Sequence, residues 1–286
     1  MKAARTPLPV TQPAEERLSN ADYQRVAQFV TSATGIKLPP AKKIMVEGRL
    51  RRRMRALGLS SLHEYCELVF DSGTCDDEVV NLIDAVTTNK TDFFREPTHF
   101  TFLNKTVLPL LYQEGHAVKM WSAASSIGAE PYTLAMVLSD FADTHPGFRF
   151  SIMASDISTE VLSQAARAIY AEDMIEPVPL AMRERYVLRS IDPARRLVRM
   201  APEIRAQVRF LRINLMDARY PVDRDMDVIF CRNILIYFDK PTQEMVVRRL
   251  CQHLRPGGFL MLGHSDSIAG LSIPLKSYGH SIFRRE

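Results

Sequence analysis

The chain has 286 residues, 46% of them apolar and 24% charged, which is enough to bury a full core and too apolar for a disordered chain. The formal net charge of +4 is too small by itself to mark a nucleic-acid binder. No apolar run approaches the ~20 residues of a membrane span, and Pro stands in MKAARTPLPVTQPAEE where a secretory signal needs an apolar run, so a soluble, cytoplasmic protein with no membrane insertion is expected.

Residues 1–17 read as a flexible tail, rich in Pro and alternating charge. Ser19 or Asn20 caps a helix over 21–33, which Gly35 ends. A second helix follows Pro39-Pro40, from about 41 to 57, and Gly58 closes it. Ser60-Ser61 starts a third over 62–70 and Asp76-Asp77 a fourth through Val86, so residues 18–86 make a small all-α domain. From Lys119 the pattern alternates: strand 119–124, helix 132–140, strand 149–156, a Ser158-capped helix 159–167, strand 226–233, helix 241–254 and strand 257–263. These strands are continuous apolar runs, as expected when helices cover both faces of a doubly wound, Rossmann-like α/β sheet over residues 87–286. Residues 278–286 add a final strand. Within 185–215, two short strand-like runs around Asp192-Pro193 and a third, VRFLRI, predict a small antiparallel insert at about 185–212. Cys66, Cys75, Cys231 and Cys251 form no C-x-x-C pair, so reduced thiols and no metal site are expected.

Open α/β sheets bind ligands at the carboxyl ends of their strands. Three polar clusters fall at such ends: SSIGAE after the first strand, Asp156 at the end of the second, and CRN at the end of 226–233. A pyrophosphate site needs several free N–H groups and a glycine-rich loop, whereas this loop holds only Gly128. S-adenosylmethionine has no phosphate. It needs close backbone approach, an acid for its ammonium and an acid for its ribose diol, and Gly128, Glu130 and Asp156 supply that set. Pro131 is expected at the first helical position, which leaves Glu130 at the helix mouth, outside the helix proper. The alternatives are that Asp156 is a capping residue and that Glu130 only complements the helix dipole, worth ~0.3–1 kcal/mol.

Several blocks in order now identify a resemblance: RLRRRMRALGL (49–59), TTNKTDFFRE (87–96), WSAASSIGAEPY (121–132), ASDIS (154–158), CRNILIYFD (231–239) and LRPGGFLMLGHSD (254–266). From about residue 20 the chain resembles the CheR-type chemotaxis receptor methyltransferases, which methylate receptor glutamates with S-adenosylmethionine. The family loop reads S-T-G-E-E-P-Y where this chain has Ser126-Ile127-Gly128-Ala129-Glu130-Pro131-Tyr132, so one of two adjacent acids is replaced by Ala129. The family's G-H-S-E appears as Gly263-His264-Ser265-Asp266. The resemblance implies that Glu130 and Asp156 hold the amino and ribose ends of the cofactor and that Asn214 and Leu215 contact its adenine. It also implies that Arg232 and Asn233 line the strand end and that Asn89, Thr91 and Arg95 close over the site. Arg95 and Tyr237 match the family's proposed catalytic pair.

A glutamate titrating near 4.3 is already anionic at neutral pH, so methyl transfer to it needs alignment and desolvation rather than a general base. Arg95 can hold a carboxylate through its forked donors and a phenol at Tyr237 can donate one hydrogen bond; the alternatives are that Arg95 clamps the cofactor's carboxylate and that Tyr237 only packs. An N/D-P-P-Y/F motif for amino methylation of bases is absent, and Cys231 follows Phe230 rather than the Pro typical of a cytosine-C5 nucleophile. Helix 41–57 carries Lys42, Lys43, Arg49, Arg51, Arg52, Arg53 and Arg55 against the single acid Glu47, with Val46, Leu50, Met54 and Leu57 as an apolar stripe. No aromatics interleave for base stacking. The bias suggests an acidic partner, which nucleic acid would also be, and the resemblance points Arg49, Arg52, Arg53 and Arg55 at the methylation helices of a chemoreceptor. In some family members the β insert docks a receptor's C-terminal peptide as an added strand. A monomer is expected. The rival functions are an RNA or DNA methyltransferase and a non-catalytic S-adenosylmethionine-binding regulator.

Overall fold

A computed structural model describes residues 17–72 and 76–286. The expected tail, but for Arg17, and Cys75 lie outside the described residues. The chain divides into two units, one holding the described residues up to Ala33 with Lys37–Thr87, the other Thr34–Ile36 with Thr88–Glu286.

The first unit is helical: α1 (Asn20–Thr34), α2 (Lys43–Ala56, after a 3-10 turn at Pro40–Lys42), α3 (Leu62–Asp71) and α4 (Asp76–Val86). Local chemistry sets its boundaries. The Ser19 hydroxyl accepts from Asp22 N–H at 3.0 Å and the Ser61 hydroxyl from Glu64 N–H at 3.1 Å, satisfying first-turn donors that lack intrahelical partners. Gly58, at φ +69°, ends α2: its N–H reaches Arg55 C=O at 3.1 Å while Leu59 N–H reaches Met54 C=O at 3.0 Å, the paired closure that a left-handed residue permits. Val46, Leu50 and Met54 of α2 are buried as the stripe predicts, whereas Leu57 is 40% exposed.

The second unit begins with α5 (Pro97–Phe102) and α6 (Leu108–Glu114), followed by β1 (Val118–Ala123), α7 (Ala129–Thr144), β2 (Phe150–Asp156), α8 (Thr159–Arg167) and β3 (Ile169–Ala171). It continues through α9 (Leu180–Tyr186), β4 (Val187–Arg189), β5 (Leu197–Met200), α10 (Pro202–Ala206), β6 (Val208–Arg212) and β7 (Met226–Cys231). The last elements are α11 (Lys240–His253), β8 (Leu254–Leu262), β9 (Leu275–Gly279) and β10 (Ile282–Arg285). The main sheet has the order β6-β2-β1-β7-β8-β10-β9. Its first five strands run parallel, and the β9–β10 hairpin closes one edge antiparallel to β8. Successive residues enter different cores: Met120, Phe230 and Phe259 join one buried cluster, and Trp121, Ile229 and Leu260 the other. That period of two, with apolar side chains on both sides, is why the strands read as unbroken apolar runs.

Two sequence expectations need correction. The insert predicted at about 185–212 is a three-stranded antiparallel sheet, β3-β5-β4, that draws its first strand from 169–171 and ends at Met200. VRFLRI does not belong to it; β6 pairs parallel with β2 as the edge of the main sheet, a choice set by a strand some fifty residues earlier in the chain. The single strand expected at the C-terminus is a hairpin, with β9 added before β10.

Candidate functional site

The strand order reverses between β1 and β7, so a crevice opens beyond their carboxyl ends, where an open α/β sheet holds its ligand. The backbone there is unusual. Phe94, Glu96, Ala124, Ser126 and Asn233 all have positive φ without being glycine, five such residues in the segments that meet at the strand ends. Left-handed residues of this kind persist only where surrounding bonds over-determine them.

Those bonds centre on Arg232, the residue after β7, whose side chain is 2% exposed. Its Nη1 donates to Glu130 Oε2 at 3.0 Å and its Nη2 to Glu96 Oε2 at 2.9 Å. Nη2 also donates to the Arg95 carbonyl, and the guanidinium lies over the rings of Phe100 and Phe230. The Ser122 hydroxyl donates to Glu130 Oε1 at 2.7 Å, while Glu96 Oε1 accepts from Asn233 Nδ2 and His264 N–H, each at 3.1 Å. Burial works to raise the Glu96 pKa, but the bonds from Arg232 and Asn233 outweigh it and hold the carboxyl down at about 2. Burial and the Arg232 charge together push the His99 imidazole down to about 4, so it is neutral near physiological pH.

The second acid sits one strand over. The buried Asp156 takes Ser126 N–H at 2.8 Å and Ser158 N–H at 3.0 Å, and the Ser126 hydroxyl donates to the Asn89 carbonyl at 2.7 Å, tying the 89–91 segment to the turn after β1. Beyond β6, Asn214 Oδ1 accepts from Met216 N–H at 3.0 Å, which shapes the turn holding Asn214 and the buried Leu215. Tyr237 is half-buried at the end of the 3-10 turn Leu235–Tyr237, in the same connection as Arg232 and Asn233. Thr91 and Arg95 are half-buried, and Arg95 Nη1 donates to the Lys90 carbonyl at 3.1 Å.

The expected helix start at Pro131 is wrong: α7 begins at Ala129, so Glu130 lies in its first turn rather than outside it. Tyr132 N–H bonds to Gly128 C=O at 3.1 Å, and Pro131 is tolerated because a first-turn residue has no intrahelical acceptor for its N–H. Gly128 is required for a different reason from close cofactor approach. Its φ is +92°, and an added Cβ would stand 2.9 Å from Ala165 Cβ and 3.0 Å from Tyr170 Oη, so the neighbour that excludes a side chain is protein. Ala129 is fully buried in the core, so its loss of an acid leaves Glu130 with both of its partners. Glu96, Ser122 and Asp266 are the site residues that sequence reasoning passed over. Glu96 stood in the quoted TDFFRE block directly before a helix-starting proline.

The arginines assigned to partner recognition divide. Arg49 Nη1 donates to the Ala85, Val86 and Thr87 carbonyls at 3.2, 3.1 and 2.6 Å, capping the end of α4. Arg53 forks onto Glu78 at 3.0 and 2.6 Å. Both hold the helical unit together, while Arg52 and Arg55 stand exposed.

Removing the Glu96 charge has a signed consequence. Because its pKa falls from 4.5 to about 2 on folding, its stabilisation is complete above the unfolded value and lost as pH falls toward the folded one. Glu96→Gln is therefore expected to lower stability near neutral pH by about 2 kcal/mol and to flatten the decline between pH 4.5 and about 2. Urea unfolding of both proteins across that window measures it.

The donor set suits a ligand with an ammonium and a ribose but no phosphate. Two carboxylates stand at adjacent strand ends, and the buried Ser125 hydroxyl, in the turn after β1, has no protein partner. Residues 89–282 match the family described as CheR methyltransferase, SAM binding domain, and residues 21–87 match CheR methyltransferase, all-alpha domain. The chemotaxis protein methyltransferase of Escherichia coli (strain K12) is 38% identical over 266 residues, covering 93% of this chain and 91% of that one. Chemotaxis protein methyltransferase 2 of Pseudomonas aeruginosa is 37% identical over 280 residues, covering 97% and 98%. The chemotaxis protein methyltransferase of Borreliella burgdorferi is 34% identical over 259 residues, covering 88% and 90%. With both domains matched and the S-adenosylmethionine-binding fold in place, this chain belongs to the CheR methyltransferase family.

Proposed function

We propose that this enzyme transfers a methyl group from S-adenosylmethionine to glutamate carboxylates on the cytoplasmic methylation helices of chemoreceptors, giving methyl esters, in the bacterial cytoplasm. The observation that carries the reading is the match of both domains to the CheR family along most of the chain. Among the described residues no helix is long and apolar enough to cross a membrane.

When bound, S-adenosylmethionine supplies an electrophilic methyl on a sulfonium. Glu130 retains acceptor capacity beyond its bonds to Ser122 and Arg232 for the ammonium, and Asp156 takes the ribose. Asn214 and Leu215 contact the adenine, Arg232 and Asn233 the crevice wall, and Asn89, Thr91 and Arg95 the open side. Arg95 and Tyr237 orient the incoming carboxylate. That nucleophile is already ionised, so these residues exclude water and fix geometry without moving a proton. Arg52 and Arg55, exposed on α2, meet the acidic receptor surface. At the small sheet β4 is an edge strand, and its central residue Leu188 is 51% exposed; a receptor C-terminal peptide adds there as a further strand.

Incubation with methyl-labelled S-adenosylmethionine and receptor-containing membranes tests the reading. Base treatment is expected to release volatile methanol from receptor protein, and Arg95→Ala should reduce it about 10–100-fold, the worth of one charge-assisted contact. Absence of base-labile label with several receptors, despite measured cofactor binding, would overturn it.

A further inference from the structure

The 3-10 turn that carries Tyr237 is three residues long and closes on two bonds of its own, Tyr237 N–H to Ile234 C=O and Phe238 N–H to Leu235 C=O, each at 3.0 Å. So short a turn does not hold a side chain in one place by itself. Two buried polar side chains from elsewhere grip it. Asp266, after β8, accepts Ile236 N–H at 3.2 Å and Asn233 N–H at 2.6 Å, and also Gly263 N–H at 2.9 Å in its own turn. Gln243, on α11, donates its Nε2 to the Leu235 carbonyl at 2.9 Å and the Phe238 carbonyl at 3.2 Å. Both are no more than 9% exposed. The grip is close: an added Cβ at Gly263 would lie 2.4 Å from Asn233 Nδ2.

We propose that Asp266 and Gln243 are positioning residues for methyl transfer, a two-sided clamp that fixes the turn 234–238 and thereby the Tyr237 phenol against the acceptor carboxylate. Neither touches the reacting atoms. The proposal rests on the reading of Tyr237 given above, and it assigns the two partners different signatures. Gln243 holds only the two carbonyls that flank the phenol, so its loss moves Tyr237 and leaves the cofactor pocket alone. Asp266 holds Asn233 as well, so its loss disturbs both turnover and cofactor affinity.

The test is a double-mutant cycle on receptor methylation with full-length protein. Gln243→Leu is expected to lower kcat about tenfold while the dissociation constant for S-adenosylmethionine changes less than about twofold. In the Tyr237→Phe background the same substitution should cost less than about twofold further, because the group it positions is gone. Asp266→Asn should lower kcat and weaken cofactor binding together, and Asp266→Glu, which keeps the acceptor charge, should recover most of both. Thermal midpoints confirm that each variant is folded; should Asp266→Asn not fold, the Gln243 cycle stands alone. Losses that add in full in the double mutant, or an unchanged kcat in Gln243→Leu, would overturn the clamp. An unchanged kcat in Tyr237→Phe itself would instead remove the role of Tyr237, and the clamp with it.

Discussion

Replacing Arg232 by leucine should destabilise the second unit by about 3–5 kcal/mol, lowering the thermal midpoint by roughly 10 °C. The guanidinium is almost fully enclosed and spans two carboxylates, Glu130 at 3.0 Å and Glu96 at 2.9 Å. Without it, both acids remain in a largely buried setting and lose the cation that bridges them, and the desolvation of each is no longer offset. Arg232→Lys should recover only part of the loss, since a single ammonium cannot present two forked donors to acids on opposite sides. Scanning calorimetry of the three proteins measures this, and a midpoint within about 2 °C of wild type for the leucine variant would show that the bridge contributes little. The same substitution frees the backbone of Arg95, whose carbonyl Arg232 also holds, so cofactor binding should fall with it.

Glu130→Gln should weaken S-adenosylmethionine binding by about 10–100-fold, corresponding to ~1.5–3 kcal/mol for a charge-assisted contact to an ammonium. Gln keeps the length of the side chain but has one acceptor oxygen, so it keeps the bond from Ser122 or the one from Arg232 and not both. S-adenosylhomocysteine carries the same amino end and should lose affinity to the same degree. Methylthioadenosine lacks that end, and its affinity should hold within about twofold. Isothermal calorimetry with the three ligands separates these outcomes, and equal affinities for S-adenosylmethionine in the two proteins would remove Glu130 from the contact.

Much of the fold was legible because its causes are local. Ser19, Ser61 and Ser158 cap the helices they precede, and Gly58 closes one, since each acts within a few residues of itself. The runs at 119–124, 149–156 and 226–233 signalled strands covered on both faces, and β1, β2 and β7 form there, the last ending two residues earlier at Cys231. Misreadings arose where a local pattern was compatible with two partners. VRFLRI had the composition of either sheet, and a helix with Pro131 in its first turn can begin at that proline or two residues earlier.

The site divides along the same line. Sequence alone marked the acids at the ends of β1 and β2, the C-R-N after β7 and the absence of a phosphate cradle, because the chemistry of a cofactor restricts which residue types can stand at strand ends. It could not show that Arg232 bridges Glu130 and Glu96, that Glu96 is pinned as an anion, or that Arg49 and Arg53 are committed inside the helical unit. Those pairs are separated by 102, 136, 36 to 38 and 25 positions in the chain. Secondary structure depends on residues three or four apart, which one sequence displays directly. Which buried charge meets which depends on strand order and helix packing, and only the folded chain brings those positions within hydrogen-bonding distance.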